Sequence, residues 1–286
     1  MAYFLIIAIC VIALLIGSIT DIKTREVPDW LNYSLVAAGL GIRLIWALAA
    51  WDVWILLYGV FGFLVFLALA YLMFYTGQWG GGDSKMLIGL GALIGLDFKL
   101  STFMISFLIN ILFIGALYGV VWSCILAFRN KKNFVKVFKD FMLEKSFMLW
   151  RRAVLIISLV LLVSVFFVPS PILKLLILVI VFVMIIVVYL FTFIKSVEKI
   201  AMLKHVTPMQ LTEGDWIVKD IHVDGKYVAG PKDLGIEKKQ IKKLIGLYKK
   251  GKVRKILVKD GIPFVPSFLI AFIVTLIWGN VILMII

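Results

Sequence analysis

Eight apolar runs, most of them far longer than a soluble protein buries in one piece, divide the 286 residues of this chain. They cover residues 2–20, 30–50, 53–76, 86–96, 101–128, 153–168, 171–194 and 264–286. A helix needs about 20 apolar residues, with a range of about 17–25, to cross a bilayer. Six runs meet that length, 153–168 is slightly short, and 86–96 is clearly short. The pattern predicts a polytopic α-helical membrane protein with six to eight transmembrane helices. Composition agrees: 63% of residues are hydrophobic and 16% charged, against about 45–50% and about 25% in soluble domains. That balance excludes an ordinary cytosolic globule, a disordered chain and a disulfide-knitted secreted module. A membrane β-barrel would show alternating segments of about 10 residues instead of unbroken runs. Cys10 and Cys124 both fall inside apolar runs and offer neither a disulfide framework nor a metal-binding pair.

Charge sets the expected orientation. The loop after the first run carries Lys23 and Arg25, and the loop after the third carries Lys85. Residues 129–152 hold eight basic against two acidic residues, and residues 195–263 hold sixteen against eight. The alternate connections are nearly free of basic residues: 51–52 and 169–170 have none, and 97–100 has Lys99 alone beside Asp97. Basic loops stay on the cytoplasmic side, which places both termini outside and requires all eight runs for the alternation to close. The first run has no basic residue ahead of it, so it reads as a retained helix and not a cleaved signal peptide. The two basic segments account for the whole net charge of +14. They fit topology and attraction to anionic membrane lipid. Without an aromatic-interleaved motif they do not argue for nucleic acid.

The polar stretch 196–263 is expected to be a small α+β cytoplasmic domain before the last helix. Residues 216–222 and 226–229 flank Val223-Asp224-Gly225, a hairpin signal. Residues 236–250 align Ile241, Leu244, Ile245 and Tyr248 on one helical face, with Gly251 as the stop, and 253–259 reads as a further strand. A unit of this size buries only a modest core and is expected to lean on the membrane part. The chain then divides into a membrane catalytic core (1–128), a basic loop with an extra hairpin (129–195), the α+β domain (196–263) and a last span (264–286).

Ionisable groups inside spans are costly and are therefore functional candidates. Arg43 lies about 10 Å from the end of its run at 1.5 Å per residue, within snorkelling reach, and Lys174 is near a run end; both read as structural. Asp21 and Asp83 differ. Asp21 ends the first run where a helix dipole disfavours a carboxylate. Asp83 closes Gly80-Gly81-Gly82-Asp83 ahead of the short fourth run. Asp is a favoured N-cap residue, but a cap does not need three glycines, which let the backbone bend and another chain approach closely. Both acids fall at the same depth on the cytoplasmic side. Two carboxyls in one low-dielectric site share a proton, so one serves as base on a water while the other polarises a carbonyl. The same acids also fit an ion-coupled transporter, or a non-catalytic scaffold in which they only cap helices.

Gly80-Gly81-Gly82-Asp83 matches the GxGD motif of intramembrane aspartyl peptidases. The run from Asp21 through Val27-Pro28-Asp29-Trp30-Leu31 resembles the first-aspartate segment of type IV prepilin peptidases and archaeal preflagellin peptidases. Residues 255–268, with Gly261-Ile262-Pro263-Phe264-Val265-Pro266, are similar to the segment leading these enzymes into their last helix. The resemblance implies hydrolysis of the short basic leader of archaellin or pilin-like precursors, usually just after a Gly, at the cytoplasmic face of the cell membrane. It makes Asp21 and Asp83 the catalytic pair, gives Gly80 and Gly82 the motif's backbone role, and implies no metal or organic cofactor. Pro28 would shape the turn by fixing its own φ, and Asp29 is expected to cap the second helix. Glu26 and Asp29 are candidates for attracting the leader's basic residues. The chain lacks the cytoplasmic cysteine cluster often found in the bacterial enzymes, which favours the archaeal branch. Its 129–194 stretch is surplus to the six spans usual there. Presenilin-type peptidases match less well, since no Tyr-Asp precedes and no Pro-Ala-Leu follows.

Overall fold

The computed structural model describes residues 2–96 and 103–285; Asp97 and Lys99, used in the charge argument, lie outside the described residues. Among the described residues six helices are long and apolar enough to cross a membrane, as expected for a multi-pass membrane protein carrying a small sheet-containing domain. The chain forms two compact units, residues 1–121 with 205–286, and residues 122–204.

In the first unit, α1 (Ala2–Thr24), α2 (Asp29–Ala50) and α3 (Trp54–Tyr75) are full-length spans. Arg25 in the left-handed region at φ 62° ends α1, and Pro28 at φ −58° starts α2. The short fourth run is α4 (Gly81–Ile94), which begins within the glycine stretch and is wrapped by its neighbours. Small residues permit this: a Cβ on Gly91 would lie 2.6 Å from the carbonyl oxygen of Gly62 on α3. Gly91 is the first glycine of a GxxxG face, and here it serves close backbone approach. Leu87, Leu90 and Leu93 of α4 are fully buried, against a layer that includes Leu14 and Phe66. Phe107 on α5 (Phe103–Arg129) joins this core, with its ring 5.4 Å from that of Phe272.

The last apolar run is not one span. It breaks at Gly279, φ 70°, into α10 (Val265–Trp278) and a short α11 (Val281–Ile285). Asn110 of α5 holds the break. Its amide donates to Thr275 Oγ1 at 2.9 Å and to the Gly279 carbonyl at 2.7 Å, and it accepts the N–H of Val281 at 3.2 Å. Hydropathy stays high across the break, so the expected 23-residue helix is a 14-residue one, about 21 Å long.

The α+β domain has its own core, including Leu211, Ile217, Val228, Ile236, Leu244 and Ile256. Five short strands form two sheets: β1 (Leu203–Val206), β2 (Trp216–Ile217) and β5 (Ile256–Lys259) in the order β1-β5-β2, and β3 (Ile221–Val223) paired with β4 (Lys226–Ala229). Asp224 and Gly225 take φ of 51° and 74° in the tight turn of the β3–β4 hairpin, the geometry that Asp-Gly favours. The expected first hairpin strand is shorter than read. Its start, Trp216-Ile217, pairs antiparallel with β5 instead. α9 (Lys238–Lys249) follows and is closed by Gly251 at φ 72°.

The second unit holds the basic amphipathic α6 (Lys131–Leu143), then α7 (Lys145–Ser164) and α8 (Pro171–Val197), which continues through a π-helical turn over Glu198–Met202. Phe134 and Trp150 pack on Phe193 and Phe191 of α8 at 5.4 and 5.8 Å.

Candidate active site

Asp21 stands one turn before the end of α1 and is 5% exposed. At the tail of its own helix a carboxylate is disfavoured, yet its Oδ2 accepts the N–H of Val265 at 2.9 Å. Val265 is the first residue of α10. The acid therefore stabilises the positive end of a different helix, one 244 residues away in sequence, and a charge-assisted bond of this type is about twice as strong as a neutral one. Local patterning could not reveal this partner. The Gly261–Pro266 segment thus delivers a backbone donor to Asp21.

Asp83 lies in the first turn of α4 and is half-buried. Its Oδ2 accepts the N–H of Gly80, the N-cap residue, at 3.1 Å. This is the reach-back half of a capping box: Asp83 acts from the N3 position, and the N-cap itself is Gly80 and not Asp83 as the capping reading had it. The glycines have a further use. A Cβ on Gly82 would lie 3.1 Å from the backbone nitrogen of Val27, so the start of α4 presses directly against the Val27-Pro28 turn. The two acidic segments therefore meet.

Asp29 does not cap α2, whose N-cap is Pro28 with no side-chain cap bond. Asp29 is the first residue inside the helix, and its carboxylate pairs with Lys85 at 2.6 Å, a link from α2 to α4 beside the site. Glu26 is exposed on the turn between α1 and α2. Arg43 does not snorkel. It is 5% exposed and clamps the far end of α4: Nε and Nη2 donate to the Leu93 carbonyl at 3.0 and 2.9 Å, Nη2 also to Ile94, and Nη1 to Ile55 at 3.0 Å. A cation satisfying the last carbonyls of a helix is favourable, and that outweighs the short climb to water.

Three aromatic residues that pack around the segments carrying the acids were not singled out from the sequence. The Trp79 ring, immediately before the glycine stretch, packs on Phe264 and Phe268 at 5.8 and 5.3 Å. Tyr118 of α5 reaches Phe264 at 6.4 Å. Trp216 of the α+β domain covers Gly77, where a Cβ would be 3.2 Å from its ring. Aromatic residues are common throughout this chain, so only position marks these. Among the described residues no three His, Cys, Asp or Glu side chains gather as metal ligands would.

The two carboxyls come from separate helices, and each accepts a backbone N–H at a helix start. Residues 8–123, which hold both acids, match the model of the type IV leader peptidase family, in line with the resemblance read from the sequence over that stretch. The chain is similar to a preflagellin peptidase of Methanococcus maripaludis, with 39% identity over 83 residues covering 29% of this chain and 36% of the relative. It is also similar to those of Methanocaldococcus jannaschii (41% over 83 residues, 29% and 35%) and Methanococcus voltae (36% over 87 residues, 30% and 37%). The matched stretch thus spans about a third of the length of these curated relatives.

Proposed function

We propose that the protein is a membrane aspartyl endopeptidase that removes the short basic leader from archaellin or type IV pilin-like precursors, with Asp21 and Asp83 as its catalytic pair. The observation that carries this reading is the close packing of the start of α4, which holds Asp83, on the Val27-Pro28 turn that follows Asp21, within the stretch that matches the leader peptidase family. The names of the relatives favour archaellin-type precursors. The basic segments favour a site facing the cytoplasm with both termini outside.

The precursor enters from the cytoplasmic side and its scissile bond lies extended between the carboxyls. One carboxylate takes a proton from water as the other, protonated, hydrogen-bonds the peptide carbonyl. The resulting gem-diol collapses as an acid protonates the leaving amine. Gly80 and Gly82 give the Asp83 segment freedom to close on substrate, and the Val27-Pro28 turn fixes the approach of α2. Glu26 and Asp29 stand at the entrance to attract the leader's basic residues; for Asp29 this competes with its bond to Lys85. An unchanged KM in Glu26→Gln and Asp29→Asn would end that last assignment.

The test is cleavage of tagged archaellin and pilin precursors by membranes containing the protein. Cleavage just after the leader Gly is expected, and the faster precursor identifies the preferred class. Cleavage of neither would overturn the reading.

A further inference from the structure

Among the described residues, three side chains bury polar atoms with no hydrogen-bond partner: Ser18, Asn32 and Ser158. Native proteins leave few such atoms. Helical hydroxyls usually escape by donating to a carbonyl one turn back, as Thr20, Thr192 and Thr275 do here. Ser18 makes no such bond, and in Asn32 both amide atoms are unpaired.

Ser18 and Asn32 flank the site. Ser18 precedes Asp21 by three residues and so lies one turn further into the span on the same buried face of α1. Its neighbour Gly17 is packed so tightly that a Cβ there would lie 2.5 Å from Met86 Cε and 3.2 Å from Val265 Cγ1. Asn32 follows Asp29 by three residues and is 1% exposed. A Cβ on Gly89 would be 3.3 Å from its backbone oxygen. Two helices therefore bury one unpaired polar group each beside the α4 turn from Met86 to Gly89, just past Asp83.

We propose that Asn32, supported by Ser18, is a substrate-binding residue that hydrogen-bonds the extended peptide backbone on the bilayer side of the scissile bond. This rests on the peptidase reading above. A peptide must be extended to be cut, so its N–H and C=O groups lose their helical partners where no bulk water can replace them. An Asn amide offers one acceptor and two donors, which matches both groups of a peptide unit whatever the side chains of the precursor. The hydroxyl of Ser18 adds a further donor and acceptor. In the resting arrangement each of these polar atoms exposes less than 1 Å², so they become available only as an entering peptide parts α1 and α2 from α4.

The test compares wild type with Asn32→Leu, similar in shape but apolar, and Ser18→Ala, using the full chain in lipid nanodiscs with a tagged precursor. Removing an unpaired buried polar group does not destabilise, so both variants are expected to melt at or above the wild-type temperature. The value of kcat/KM falls about tenfold or more for Asn32→Leu and about threefold for Ser18→Ala, chiefly through KM. A lower melting temperature accompanying the lost activity in both variants would show a purely structural role and overturn the proposal. So would wild-type kcat/KM in both. A wild type that cuts no precursor removes the peptidase reading and this proposal with it; a wild type that cuts no better than Asn32→Leu and Ser18→Ala removes this proposal alone.

Discussion

Replacing Arg43 with Met keeps the aliphatic stem and removes the guanidinium that closes the end of α4. The carbonyls of Leu93 and Ile94 belong to the last turn of that helix, where no intrahelical donor exists, and Arg43 supplies their donors. Leaving two buried carbonyls unpaired costs about 1–3 kcal/mol each. Losing a cation at a helix C-terminus adds up to about 2 kcal/mol. Burying a guanidinium is itself expensive, and relief of that cost offsets part of the sum. A net loss of about 2–4 kcal/mol remains, which corresponds to a melting temperature lower by about 5–10 °C. Arg43→Lys keeps the charge but not the planar fork and should fall between the two. Thermal unfolding of the purified protein in detergent is the assay. Asp83 lies at the other end of the same 14-residue helix, so Arg43→Met is also expected to slow cleavage. A Met variant that melts with wild type, or a Lys variant that melts below the Met variant, would refute this account of Arg43.

Other substitutions test the packing around the site. Gly89→Ala places a methyl 2.7 Å from the Leu35 Cβ and should destabilise by about 1–3 kcal/mol, with partial rescue by Leu35→Ala in the same melting assay. Asp29→Asn breaks only a half-exposed ion pair, worth under about 1 kcal/mol, so its melting temperature should stay within about 3 °C of wild type. Asn110→Leu removes three hydrogen bonds that hold the α10–α11 break. It should cost about 2–4 kcal/mol and increase proteolysis near residue 279, read by limited digestion.

Much of the architecture was legible because hydropathy and membrane crossing are linked by length alone. The short 86–96 run was recognisable as unusual, and its glycines explained how it packs once α3 was seen opposite Gly91. Asp224-Gly225 marked a hairpin because few other pairs adopt two successive positive φ values. The break at Gly279 was hidden, since a single glycine between apolar residues is ordinary in a membrane helix. Arg43 was misread because snorkelling depends on depth alone in a sequence, whereas the structure offers it three carbonyls. In the site, both acids and the glycine stretch could be singled out from their spacing. The Val265 amide could not, because a backbone donor has no sequence signature, and neither could the missing partners of Ser18 and Asn32, which only packing reveals.

The most direct test of the central claim is precursor cleavage by Asp21→Asn and Asp83→Asn, each compared with wild type at equal membrane insertion and equal melting temperature. The account predicts that each variant cuts at less than about one thousandth of the wild-type rate, since a neutral amide cannot act as a general base or acid. Cleavage near the wild-type rate by either variant would contradict it.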